Sequence, residues 1–337
     1  MFQSEKAVEI IYDKKYLNNF ILQEDIYLMS DKVRQMTNQV VLTGKVTEFE
    51  MKTGTVANGD SKGAPYVSIK GEIQFGEHKA MTRSFERYVQ EYRVKDGKKN
   101  ENKAYTTTLE WAKAVKSVAK TNWDEATEVS LTCSFATNDY VNKEEKLIEA
   151  LKCNVAFIND VNGDYKATAD IEGYIQSITS ETKGEDQAET GRLRVTILTN
   201  DFFGNIIPVK NIIVPEELRE AFEEGYEVGQ TAKVFVDFTL HKGEEKPKKT
   251  GGIGVQRTTD GKSYVEMILT GADPALDEDE EDAFSKEAVR IGLAERKADL
   301  DKLKEAGYQG GKGEGKSISS VSTNSKPKPV ADDEIPF

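Results

Sequence analysis

Histidine and cysteine are nearly missing from this chain: 337 residues hold two of each, and none stands beside another. With no Cys-x-x-Cys pair and only His78 and His241, a zinc centre lacks its ligands, and no metal is expected. Cys133 and Cys153 each sit in an alternating apolar run, which reads as two buried thiols; a disulfide between adjacent strands is the minor alternative. A nucleophile elbow and a Walker loop are also lacking. Gly251-Gly252-Ile253-Gly254 lacks the strand–glycine–helix context and has no Lys-Ser/Thr at the spacing of a phosphate loop, so it is no phosphate cradle. No apolar run is long enough to cross a bilayer, and Met1-Phe2-Gln3-Ser4-Glu5-Lys6 lacks a basic region ahead of an apolar stretch. These shortages point away from an enzyme, a cofactor and a membrane, and toward a soluble chain of the cytoplasm.

Positive charge is outnumbered too, 46 Lys and Arg against 59 Asp and Glu, for a net −13. Its placement matters more than its sum. Residues 277–282 are six consecutive acids, residues 215–227 carry six glutamates against Arg219, and residues 332–334 add three more acids. The rest of the chain is close to neutral, so a basic surface elsewhere is allowed. Carboxylates strung along one flexible stretch seldom converge on one ion, and 277–282 is not read as a Mg²⁺ site.

What is there in quantity is alternation. Val40 to Phe49 alternates apolar and polar residues around Gly44; Tyr66–Ile73 and Lys79–Phe85 read as the second and third strands. Thr107 to Lys120 has near-helical spacing, and two further strands are expected at Glu128–Phe135 and Glu149–Phe157. A second cycle echoes the first: Ala169–Ile178 around Gly173, Leu193–Leu198, Ile206–Ile213, a short helix from Pro215, then Thr231–Leu240 and Tyr264–Thr270. Three strands, a helix and two strands is the order of the OB-fold, and a glycine in each first strand suits a strand bent around a small barrel. The fold class is therefore mainly β, with two OB-fold-like barrels in tandem and short helices. The expected division is an N-terminal extension over 1–36, a first barrel over 37–160, a second over 165–275, a helix over 280–306, and a disordered tether over 307–337.

The helix over Ala283–Ala306 is weakened by Gly292, and either packing on the second barrel or pairing between chains would use its apolar stripe. Beyond it, Gly- and Ser-rich sequence has too little apolar surface for a core and reads as a tether. The chain then ends Asp332-Asp333-Glu334-Ile335-Pro336-Phe337. An apolar ring at a free carboxylate, preceded by acids, suits a peptide that fills a pocket behind a basic rim. This tip resembles the acidic terminus of bacterial and phage single-stranded DNA-binding proteins (SSBs), which end Asp-Asp-Asp-(Ile/Leu)-Pro-Phe and recruit replication and repair enzymes through it. Glu334 departs from that pattern by one methylene.

The resemblance implies a protein of the bacterial cytoplasm, phage-encoded in view of its enlarged body, that coats single strands in replication, recombination and repair. The ordinary family has one barrel per chain and assembles as a tetramer; two barrels here leave a monomer and a homo-oligomer both open.

A non-specific single-strand binder needs aromatic platforms beside a cationic track. Residues 79–103 offer Lys79, Arg83, Arg87, Arg93, Lys95, Lys98, Lys99 and Lys103 interleaved with Phe85, Tyr88 and Tyr92, with Tyr105 following. Phe85 is the one most open to a core role. In the second cycle Lys242, Lys246, Lys248, Lys249, Arg257 and Lys262 lie in the insertion between Leu240 and Tyr264, the place of an oligonucleotide-gripping OB loop. Arg192 and Arg194, with Phe202 and Phe203, extend that surface. The competing reading is an adaptor or recombination mediator that binds proteins rather than DNA, with the tip as its docking peptide.

Overall fold

The computed structural model describes residues 34–308, apart from 96, 162, 184–186, 244–245, 248–257 and 260–262. Along the chain come β1 (Asn38–Thr55), β2 (Pro65–Gln74), β3 (Thr82–Gln90), β4 (Tyr92–Lys95) and β5 (Lys98–Glu101), then helix α1 (Lys103–Ala114). Next are β6 (Glu128–Thr137), β7 (Tyr140–Val141), β8 (Leu147–Ile148) and β9 (Leu151–Asn159). The second half runs β10 (Lys166–Lys183), β11 (Ala188–Asn200), β12 (Ile206–Val214), helix α2 (Glu216–Gly225), β13 (Thr231–His241), β14 (Lys246–Pro247), β15 (Thr258–Thr259), β16 (Tyr264–Ala272) and helix α3 (Lys286–Ala306).

The strands close two circuits. β1 pairs β2, β2 pairs β3, β3 runs parallel to β9, β9 pairs β6, and β6 returns to β1. The second half repeats this through β10, β11, β12, β16 and β13, again with one parallel contact, β12 to β16. A five-stranded Greek-key barrel of this order is the OB-fold.

The two first strands share a built-in bend. A Cβ on Gly44 would lie 2.0 Å from the Gln74 carbonyl oxygen, and one on Gly173 would lie 2.2 Å from that of Leu198. Three residues later each strand skips register, between Val46 and Glu48 and between Ile175 and Ser177. Only a residue without a side chain lets the next strand approach so closely at the turn of the barrel.

Those same strands join the barrels. β1 and β10 pair antiparallel from Asn38 opposite Ile171 to Thr43 opposite Lys166, with Val40 opposite Ala169. Val40 and Ala169 each stand four residues before their barrel's glycine, so equivalent positions face each other across a pseudo-two-fold axis. Phe238 of β13 continues the join inside: its ring lies 6.2 Å from Phe75 and 6.4 Å from Phe135, and the three belong to one core. Cys133 and Cys153 are buried and free, and burial raises both thiol pKa values.

Three expectations shift in position. The third strand occupies Thr82–Gln90 rather than 79–85, and the stretch after it is the hairpin of β4 and β5 rather than a loop. Helix α1 begins after Asn102, whose side chain accepts from the Ala104 N–H, and stops at Ala114. It ends early because the Val118 and Ala119 N–H groups donate to the carbonyls of Val46 and Thr47, at the β1 bulge. A strand edge with free acceptors outcompetes helical spacing there.

Helix α3 packs on both barrels, a broader contact than either expectation. Val289, with Phe284 just before the helix, buries against Leu198 and Ile206 of the second barrel and against Met36, which precedes β1. Gly292 permits this closeness, since a Cβ there would lie 2.3 Å from Ile206 Cγ1. Further along, Arg296 Nη1 meets Asp139 Oδ2 at 2.8 Å beside the β7–β8 hairpin of the first barrel, and Nη2 meets Glu149 Oε2 at 3.0 Å.

Gly44→Ala is expected to lower stability by about 1–3 kcal/mol, the usual range for overpacking a filled site. A lower denaturant midpoint at unchanged slope, with Gly225→Ala as the open-space control, checks it. An unchanged midpoint for Gly44→Ala would contradict the close approach.

Candidate nucleic-acid interface

Alternation along β2 and β3 sends Val67, Ile69, Phe85 and Val89 into the first core and leaves the opposite face to polar and aromatic residues. On that outer face Lys52, Ser68 and Tyr88 form one row across β1, β2 and β3; Glu50, Lys70 and Glu86 form the next. Tyr66 lies beside Tyr88 with ring centroids 5.1 Å apart and planes tilted by 35°. Tyr88 is 53% exposed, far more than an aromatic ring in a core, and Lys70 is exposed beside it. Two rings side by side on a sheet give a flat, sequence-tolerant stacking surface.

The β4–β5 hairpin springs from the tyrosine end of this face. The Glu91 N–H donates to Pro65 O at 2.8 Å, and the Val94 N–H donates to Ser61 Oγ at 3.1 Å, so the hairpin is tied to the foot of β2. Lys99 Nζ sits 3.7 Å from the centroid of the Tyr92 ring. Arg93, Lys98, Lys99 and Lys103 are exposed; of Lys95 only its place in β4 is described.

The other candidates from 79–105 fall elsewhere. Phe85 is core. Arg83 is half-buried, its guanidinium 5.7 Å from the Phe135 ring and 5.5 Å from that of Phe238, at the join between barrels. Arg87 shares the inward parity of Phe85, and burial lowers its pKa. Tyr105 packs against the core, and exposed Lys79 lies at the far end of β3 from Tyr88. Tyr66 lies outside the basic stretch 79–103 that marks the other candidates. The signal for it was present: with Val67, Ile69 and Ile73 facing in, period two places Tyr66 outside with Ser68 and Lys70.

The second barrel treats its arginines differently. Arg192 Nη1 and Nη2 meet Glu266 Oε2 and Oε1 at 3.1 and 3.0 Å, and its Nε meets Glu181 Oε2 at 2.7 Å. Arg194 Nη2 meets Glu181 Oε1 at 2.6 Å, and its Nη1 donates to Asn211 Oδ1 at 3.1 Å. Both carboxylates are buried, so the cations are held by partners rather than presented. Burial pulls the Arg192 pKa down, but hydrogen bonds to Glu266 and Glu181 outweigh it and raise it. His241 and Tyr264 stack above Glu266 with centroids 4.9 Å apart, and Tyr264 Oη donates to Glu266 Oε1 at 3.3 Å.

Phe202 and Phe203 are exposed on a turn whose Asp201 Oδ1 accepts from the N–H groups of Phe203 and Asn205. Lys242 is exposed and Lys246 begins β14, whose side chains are not described. Lys248, Lys249, Arg257, Lys262 and the tip 332–337 lie outside the described residues. Among the described residues no group of His, Cys, Asp and Glu is set to hold a metal, and no helix is long and apolar enough to cross a membrane.

Burial pushes the Glu181 carboxyl up, but hydrogen bonds from Arg192 and Thr190 outweigh it and hold it below the ordinary carboxylate range. A carboxyl held low contributes stability that is fully present above its ordinary value of about 4.3 and is lost as pH falls through the folded value. Glu181→Gln is therefore expected to destabilise the chain by a few kcal/mol at pH 7, because two arginines lose a buried partner. Its stability should also fall less steeply below about pH 5 than that of the parent. Denaturant midpoints across pH check both, and equal stability at pH 7 would contradict the network.

Compared with known proteins, the chain matches the YorF family over residues 36–306. No curated protein matches it. Two solved structures that resemble it are of the single-stranded DNA binding protein from Thermus aquaticus. The wild type aligns at TM-score 0.42 and 10% identity, covering 72% of this chain and 94% of that one. A deletion mutant aligns at TM-score 0.43 and 10% identity, covering 72% and 96%. Likenesses this loose leave the fold assignment resting on the strand circuits themselves, while the family match spans most of the chain: it belongs to the YorF family.

Proposed function

We propose that this chain binds single-stranded DNA without sequence preference and coats it during replication, recombination or repair, and that its C-terminal tip recruits partner enzymes. The observation that carries the DNA reading is the Tyr66–Tyr88 pair on the outer β2–β3 face of an OB barrel, Tyr88 exposed and Tyr66 half-buried beside it. That face is where OB-folds take oligonucleotides. Lys70 lies beside the rings, and Arg93, Lys98 and Lys99 stand on the hairpin at their end, where a phosphate backbone would run. Bases in a duplex keep their faces stacked on each other and have none to offer the tyrosines, so duplex binding should be weak. No catalytic step belongs to this reading. The tip enters it through its resemblance to SSB termini, with Phe337 filling a partner's pocket and Asp332, Asp333 and Glu334 meeting a basic rim.

Mobility shift of a thymidine oligomer across a salt series tests the DNA reading. Binding should weaken steeply with salt as lysine and arginine contacts release counterions. Tyr88→Ala should cost about 1–3 kcal/mol, the range for one lost stacked base. Equal affinity for duplex and single strand would overturn the reading. Removing Phe337 should leave oligonucleotide affinity unchanged; a collapse of that affinity would contradict the separate role given to the tip.

A further inference from the structure

The two barrels have strand circuits of the same order, and their positions can be counted against each other from the glycine and bulge of each first strand. Lys52 stands eight residues after Gly44, as Glu181 stands eight after Gly173. Ser68 lies opposite Lys52, and Arg192 bonds Glu181. Tyr88 lies opposite Ser68; in the second barrel Val214 lies opposite Leu193, which brings Pro215 to the place beside Arg192. The row Lys52–Ser68–Tyr88 thus becomes Glu181–Arg192–Pro215. An exposed cation is replaced by a buried anion, a small hydroxyl by a guanidinium, and an exposed ring by the residue where β12 ends and α2 begins.

From this inequality we propose that base stacking is confined to the first barrel, so that one chain holds one short single strand, and that the second barrel's matching face is closed to it. The proposal rests on the single-strand reading above and assigns that activity to one of two look-alike sites. Phosphate recognition by arginine needs the guanidinium edge free. In Arg192 Nη1 donates to Glu266, Nη2 donates to Glu266 and Glu181, Nε lies 2.7 Å from Glu181 Oε2 as an ion-pair contact, and Thr190 Oγ1 donates to the same Glu181 at 2.8 Å. A phosphate would have to displace carboxylates that are themselves buried, and would leave them uncompensated.

The exposed aromatics of the second barrel do not rebuild the platform. Tyr264 is tied to Glu266 through its hydroxyl and covered on one face by His241. Phe202 and Phe203 sit on the turn past Asn200, at the other end of β11 from Arg192, and meet edge to face with planes at 83°.

Calorimetric titration of the full chain with a thymidine oligomer of about 8 nucleotides, inside the roughly 4–16 that one OB barrel spans, tests this. One equivalent per chain is expected. Tyr66→Ala with Tyr88→Ala should weaken binding at least tenfold, while Tyr264→Ala and the pair Phe202→Ala with Phe203→Ala should change it less than twofold. Circular dichroism of each variant separates lost binding from lost folding. Two equivalents, a tenfold loss on Tyr264→Ala or the phenylalanine pair, or binding seen only with an oligomer of about 30 nucleotides would overturn the one-barrel assignment. If no thymidine oligomer of either length binds, the single-strand reading itself fails, which is a distinct result.

Discussion

Everything else in this structure depends on the antiparallel pairing of β1 with β10. Over residues 40–43, β1 is paired with β6 on one edge and with β10 on the other, while β10 in turn pairs β13. A first strand that would otherwise present a raw edge is satisfied on both sides, in each barrel at once. Because Val40 faces Ala169, the join is nearly symmetric, as an isologous dimer contact is. Phe238, reaching Phe75 and Phe135, then fuses the cores, and α3 locks the outside through Gly292 on one barrel and Arg296 on the other. The tyrosine face of the first barrel therefore stands on a frame made by both.

Local pattern made much of this legible. Alternation around Gly44 and Gly173 announced two bent first strands, and the order of strands and helix announced the barrels. Tyr66 was legible too, by the parity of its neighbours. What no local pattern carries is a partner far along the chain. The β1–β10 register joins residues more than a hundred positions apart, and Arg192 finds Glu266 at a separation of 74. Charge counting went astray for the same reason. Arg83 and Arg87 add to the basic tally of 79–103, yet both share the inward parity of Phe85; that of Arg87 follows only from the extension of β3 to Gln90. Helix α1 stops early because Val46 and Thr47 offer acceptors that helical spacing cannot foresee.

The physical contrast between the barrels is one of charge disposition rather than charge amount. Both carry cations near the same strand positions, but the first leaves Lys70, Lys98 and Lys99 exposed, whereas the second folds Arg192 and Arg194 onto Glu181 and Glu266. Exposed cations cost little to desolvate against a flexible phosphate chain; arginines already paired with buried carboxylates have no such freedom. A duplicated fold has thus kept its frame twice and its open face once. The acidity of the whole chain is compatible with that, since it is concentrated in 215–227, 277–282 and 332–334.

Hydrogen–deuterium exchange of the full chain, with and without a saturating thymidine oligomer, tests the central claim most directly. Protection on binding is expected over 65–70 and 86–101, around Tyr66, Tyr88 and the β4–β5 hairpin, with 188–200 unchanged. Protection confined to the second barrel, or bound oligomer with no protection around the tyrosines, would contradict the account.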